Sequence, residues 1–238
     1  MQKEHPAELW KRVTASTLRS MGHAKELEVN YGQNQPGLTS DAAHMPAPQA
    51  TMSDEAISRF RGMSDALALR LRHHDADTHR ANMPDGPDAR KIYETVEQVR
   101  CEALGARRLA GASANLQALL DDRCRAKGYN GIKEKDDALL PEVIGLLVRE
   151  KLQGCEVPDS AKAFVDLYRE DLQEKISGEL STLLESADDQ AAFSKNVNEM
   201  LRALDLLHDD PSSDETDQDD DSESDEGEEG SQDAEASD

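Results

Sequence analysis

The chain has 238 residues, a formal charge of −23, and only one Trp, three Phe and four Tyr. So acidic a chain lacks the Lys and Arg clusters that grip nucleic-acid phosphates or an anionic lipid surface, so neither is an expected partner. With so few aromatic side chains the core must be built from Leu, Val, Ile, Met and Ala, which suits packed helices better than a sheet.

Pro6, Leu9, Val13, Leu18 and Met21 predict a short helix over 6–21, ended by Gly22. Residues 26–31 alternate, with Leu27, Val29 and Tyr31 on one face and Glu26, Glu28 and Asn30 on the other, which predicts one half-buried strand. Gly, Pro, Ser and Gln dominate from Gly32 to Met52, a loop with room for a second extended piece near Met45 to Gln49. Ser53 is a suitable N-cap, and Asp54 and Glu55 suit the positive end of a helix dipole. Ile57, Phe60, Met63, Leu67 and Leu71 then predict a long amphipathic helix reaching about His79.

Asp85-Gly86-Pro87 breaks the chain and restarts it, and Ile92, Val96, Val99 and Ala103 mark the next helix. Gly105 and Gly111 bracket a short segment, after which Leu116, Leu119 and Leu120 continue to Gly128. A polar loop follows from Lys127 to Asp136. Leu139, Leu140, Val143, Ile144, Leu147 and Val148 predict the most buried helix of the chain. Pro158 opens another, and Asp188 or Asp189 caps a last one carrying Phe193, Val197, Met200 and Leu204. The expected fold is therefore mainly α: an irregular multi-helix bundle of about seven helices over residues 1–208, with at most two short strands.

From Asp209 to Asp238 there are sixteen acids and no Lys or Arg. Without them the remainder carries only about −7. A block of like charge with almost no apolar residue cannot offset the entropy of ordering, so 209–238 is expected to be a disordered acidic tail or linker. Cys101, Cys124 and Cys155 are widely spaced with no C-x-x-C, as expected of reduced thiols in a cytoplasmic protein. Neither an apolar signal core nor a run of ~18 apolar residues is present in the sequence.

The sequence has no G-x-x-x-x-G-K-[ST], no G-x-S-x-G and no H-E-x-x-H, so no catalytic residue is assigned. The densest polar cluster runs from Arg70 to His79. On a continuous helix His73 would lie over Asp77, and Asp75 over His79, and imidazole–carboxylate pairs at that spacing can share a divalent metal. The competing reading is a solvated helix face with ion pairs to Arg70 and Arg72. Arg100, Arg107, Arg108, Arg123 and Arg125 form a basic belt, with Arg100, Arg107 and Arg108 as candidate partner-binding residues because Arg forks pair well with carboxylates and phosphates. Against this, Glu97, Glu102, Asp121 and Asp122 lie close enough in sequence to neutralise the belt. Asp220 to Ser224 spells D-x-S-x-S, a pattern that arises easily by chance in a tract of Asp, Glu and Ser.

Two stretches carry a family resemblance: FRGMSDALALRLRHHD (60–75) and VEQVRCEALGARRLAGASANL (96–116). With the acidic, Ser-rich stretch that follows, they resemble the N-terminal region of the CobT subunit of aerobic cobaltochelatase, over roughly residues 5–238. The resemblance implies a non-catalytic, cytoplasmic subunit of an enzyme that uses ATP, Mg²⁺ and Co²⁺ to insert cobalt into hydrogenobyrinic acid a,c-diamide, with no cofactor bound by this segment itself. It implies two partners, a AAA+ ATPase subunit and a large chelatase subunit. In that family a von Willebrand A domain with a metal site follows the acidic linker. This sequence ends before one, which leaves a fragment and a natural short form as alternatives. Two other readings compete: an acidic, chaperone-like protein whose tail binds basic clients, and an independent metal-binding helical protein using the His/Asp cluster.

Overall fold

The computed structural model describes residues 4–32 and 35–207. The expected acidic tail and its D-x-S-x-S pattern lie outside the described residues. Helix α1 (Pro6–Met21) starts on a proline whose missing N–H costs nothing in the first turn, with the His5 ring accepting from the Ala7 amide at 3.3 Å. Strand β1 (Glu28–Gly32) follows. It pairs in parallel with β3 (Ala42–Pro46), and the two-residue β2 (Gly37–Leu38) pairs antiparallel with the other edge of β3. Leu18 of α1 and Leu27, Ala43 and Ala68 form a small core under this sheet, and the Tyr31 hydroxyl donates to the Lys11 carbonyl at 2.8 Å.

Helix α2 (Asp54–His73) begins as expected, with the Ser53 hydroxyl accepting from the Ala56 amide at 3.2 Å. It stops earlier than expected. His74 and Asp75 are extended, and a separate helix α3 (Ala76–Ala81) follows, with the Asp75 carboxylate capping the Thr78 amide at 2.7 Å. Helix α4 (Pro87–Ala106) has twelve buried residues, so it is the central element and not a surface helix. Around it stand α5 (Ala110–Ala126), α6 (Leu140–Gln153), α7 (Asp159–Ser186) and α8 (Gln190–Ala203). The main core joins all five, through side chains such as Ile92, Val96, Cys124, Ile144, Phe164 and Phe193. Helix α7 departs from helical geometry at the buried Ile176 (φ −129°, ψ 17°), just before Ser177-Gly178, a small pair of the kind at which helices bend.

Among the described residues there are eight α-helices and three short strands: the mainly α bundle expected, with one helix more because α2 and α3 are separate, and one strand more than the two allowed for, the two-residue β2. The second extended piece sits a few residues earlier than expected, at Ala42–Pro46, because Pro46 and Pro48 bring no N–H to continue the ladder. The polar loop from Lys127 to Asp136 contains a turn of 3₁₀ helix (Tyr129–Gly131) that buries Tyr129, whose ring stacks on Phe164 with centroids 4.5 Å apart.

The most extensive helix–helix contact among the described residues is α2 with α5, and it depends on a missing side chain. A Cβ on Gly62 would run into the Asn115 carbonyl oxygen and come within 2.9 Å of the Leu119 Cβ. At Gly111 the same addition meets nothing within 4 Å. We expect Gly62→Ala to lower unfolding stability by about 1–3 kcal/mol through overpacking, and Gly111→Ala to cost nothing. Equal urea midpoints for the two variants would contradict this reading of the α2–α5 contact.

Candidate functional site

Helix α4 carries three charged side chains into the interior. Glu97, Arg100 and Glu102 are each 2% exposed. A buried charge is tolerable only when paired and fully hydrogen-bonded. Arg100 meets that condition with donors in several directions. Its Nε and Nη2 grip the two oxygens of Glu97 at 2.7 and 2.9 Å. Nη2 also donates to the His73 carbonyl at 2.5 Å and to the Gln190 side-chain oxygen at 3.0 Å, and Nη1 donates to the Ala187 carbonyl at 3.1 Å. The guanidinium lies 5.7 Å from the centre of the Phe193 ring.

Gln190 extends the junction. Its side-chain oxygen accepts from the Asp75 amide and its nitrogen donates to the Asp75 carbonyl, both at 2.8 Å. The end of α2, the start of α3, the middle of α4 and the α7–α8 turn are thereby tied at one point. A second buried pair, Arg149 of α6 with Glu102, lies further along α4, and Gln98 donates to the other Glu102 oxygen at 2.8 Å.

Burial alone would raise the Glu97 carboxyl, but the hydrogen bonds and charges of Arg100 and His74 outweigh it and hold its pKa at about 2. The His74 Nδ1 stands 2.9 Å from Glu97 Oε1. Burial, aided by the neighbouring His74, lowers His79 to about 4, so this imidazole is neutral at pH 7. Its ring lies between His74 and Tyr93, with centroids 4.8 and 4.6 Å away. Burial and the Glu97 charge push the Cys101 thiol upward, so it remains protonated.

The sequence-derived candidates are dispersed by the helix break. His73 ends α2 and contributes its carbonyl to Arg100. Asp75 is a helix cap, Asp77 pairs with Arg80 at 3.0 Å in solvent, and His79 turns inward. The i,i+4 pairing of His73 with Asp77 and of Asp75 with His79 therefore does not form, because it required one continuous helix. The arginine belt also divides. Arg100 points into the core, where no partner reaches it. Arg107 donates from Nε and Nη2 to the Leu152 carbonyl at 3.1 and 3.0 Å, and Arg108 is exposed.

Two groups that the sequence reading left out of the candidate site, Glu97 and Gln190, hold the junction together with His74 of the His/Asp cluster. The available signal was the run VEQVRCEALG, apolar or small at so many positions that the helix had to be buried on every side, its charges included. Among the described residues, His74, Glu97 and Cys101 form the one group of three metal-capable ligands, their ligand atoms within 4.8 Å of one another. Arg100 already supplies the positive charge there, with Nη2 3.9 Å from the Cys101 sulfur, so a cation would have to displace it from Glu97.

The family described as cobalamin biosynthesis protein CobT matches residues 4–238. The chain belongs to the CobT family. It is accordingly a protein of cobalamin biosynthesis. No solved structure matches this CobT-family chain. None of its described helices is long and apolar enough to cross a membrane, and its three cysteines are unbonded.

Two predictions test the junction. Arg100→Met leaves Glu97 buried without its main partner and should cost about 3–5 kcal/mol. Combined with Glu97→Gln, the loss should fall short of the sum of the single losses by about 1–3 kcal/mol. Additive losses in urea unfolding would show that the two side chains do not act as a pair.

The second concerns pH. An unfolded imidazole takes up its proton near pH 6.5, whereas His79 in the fold does so only near 4. The unfolded state therefore binds more protons between these values, and stability falls as pH drops from 6.5 to 4, by at most about 1.4 kcal/mol per pH unit from this group. Glu97, held near 2, adds a further loss below about pH 4.5. His79→Gln should flatten the 6.5–4 segment relative to the parent, and parallel profiles would refute the assignment.

Proposed function

We propose that this CobT-family chain is a non-catalytic subunit, or a part of one, of an ATP-dependent cobaltochelatase. In this reading it assembles with a AAA+ ATPase subunit and a large chelatase subunit, and the complex inserts Co²⁺ into hydrogenobyrinic acid a,c-diamide. The observation that carries the proposal is the family match, which spans residues 4–238 and so takes in the helical bundle. The chemistry of the interior agrees with a supporting role. Glu97 stays ionised, His79 neutral and Cys101 a thiol, so these three groups hold their protonation states near neutral pH. The sequence has no phosphate-binding loop, so ATP hydrolysis falls to the partner. A chain without its own nucleotide site can still bias a partner, provided it binds the partner's states with different affinity.

The test is co-elution of the purified chain with the AAA+ subunit and with the large chelatase subunit, with and without Mg²⁺–ATP. A complex whose yield changes with nucleotide, and which persists when residues 209–238 are removed, is the expected result. Capture of basic proteins alone, reversed by moderate salt and by removal of 209–238, would replace the proposal with the acidic interaction protein.

A further inference from the structure

Four large apolar side chains stand exposed among the described residues, and three of them share one side of the bundle. Val13 of α1 and Leu109, at the α4–α5 turn, line a groove of about 510 Å³ that also takes in α2. Leu9 stands one turn before Val13 on the same face of α1. Each of the three is 43% exposed. Trp10, the only Trp of the chain, lines the same groove, with the Arg61 guanidinium 5.5 Å from its ring centre.

The polar side of the groove is built for an anion. Arg61 and Arg108 line it, and neither makes an ion pair or a side-chain hydrogen bond with any described residue. Helix α5, 17 residues long, begins there without a side-chain cap. Leu109 occupies the N-cap position, where Ser, Thr, Asp or Asn is preferred, and the first turn contains no acid. The positive end of the dipole and the first amide groups are thus left for an outside acceptor. An independent observation points to the same place. Ser64 lines the groove and is 2% exposed, and its buried hydroxyl has no hydrogen-bond partner. Asp65 beside it accepts from Asn115 at 2.8 Å; burial raises its carboxyl, while that hydrogen bond and the Arg61 charge draw it down, and it forms no ion pair with Arg61.

We propose that this groove is a docking site for a partner subunit, through a segment that presents an apolar anchor beside a carboxylate. The apolar side chain fills the Trp10–Val13–Leu109 wall, and the carboxylate meets Arg108, Arg61 and the open end of α5. A protein segment fits better than a small molecule because the apolar surface continues past the cavity to Leu9, as at the rim of an interface. This inference rests on the subunit reading above and adds where the partner binds.

The experiment measures binding of the full chain to the purified AAA+ subunit and, separately, to the large chelatase subunit, by sedimentation. Leu109→Asp and Arg108→Glu change exposed side chains of the groove. Leu184→Asp, at the fourth exposed apolar side chain, is the control. A photo-cross-linking residue at position 109 then identifies the contacted segment by mass spectrometry. The expected result is at least tenfold weaker binding of one partner for both groove variants, unchanged binding for the control, and cross-links to a segment with an apolar residue next to Asp or Glu. Full-strength binding by both groove variants, or cross-links to a segment without acids, overturns the docking site while leaving the subunit reading intact. No complex with either subunit overturns both. Self-association abolished by Leu109→Asp, with hetero-binding unaffected, reassigns the groove to a second copy of the chain.

Discussion

Arg100 is the side chain on which the packing of α2, α3, α4 and the α7–α8 turn converges. Its guanidinium touches a carboxylate of its own helix, two backbone carbonyls from distant parts of the chain, and a glutamine that itself holds a third backbone segment. Apolar contacts could bring these elements together but would not fix their register, since they are weakly directional. Hydrogen bonds from a planar fork specify position as well as proximity. The net stability from such a buried pair is small or even unfavourable against an apolar alternative, because both charges lose their water. What it enforces is that a misaligned bundle leaves a charge unpaired in the interior, a cost of several kcal/mol.

The break between α2 and α3 follows from the same junction. Local pattern favours a helix running through His79, and nothing between His73 and Asp77 is a glycine or a proline. The chain leaves the helix because the alternative satisfies more partners. Asp75 caps α3, its amide and carbonyl both bond Gln190, and the freed His73 carbonyl accepts from Arg100. The break also turns His79 inward onto Tyr93, whose hydroxyl donates to the His79 carbonyl at 3.1 Å. The tertiary hydrogen bonds override helix propensity, which amounts to only a few tenths of a kcal/mol per residue.

This explains what the sequence made legible. Elements defined by their own residues are readable: Pro6 and Gly22 bound α1, Ser53 starts α2, Gly86-Pro87 starts α4, and Asp189 caps α8 with bonds of 2.9 and 3.1 Å to Ala191 and Ala192. Features held by residues far along the chain are not. The partner that breaks α2 is Gln190, 115 residues from Asp75. Strand β2 has two residues, too few for any periodicity, and it exists only because β3 offers an edge. The candidate site failed in the same way. Sequence grouped Arg100 with Arg107, Arg108, Arg123 and Arg125 in a basic belt, with Glu97 and Glu102 as ordinary counter-charges against it. Only the packing of α6 and α8 on α4 shows that all three are buried.

The junction and the groove share α2. Ser64 and Asp65 face the groove, and His73 at the end of the same helix is bonded to Arg100. The separation is nine residues, about 13 Å along a helix. Helix α5, whose open end contributes to the groove, makes α2's most extensive helix contact and is seated against it at Gly62. A partner held at the groove therefore grips an element with little freedom to move alone, because its far end is fixed by a buried charge and its flank by a contact with no room for a methyl group. Such an element transmits position and does not absorb it. That rigidity is a property an assembly can use, since a subunit can favour one state of a partner only to the extent that its own surface does not yield to the other.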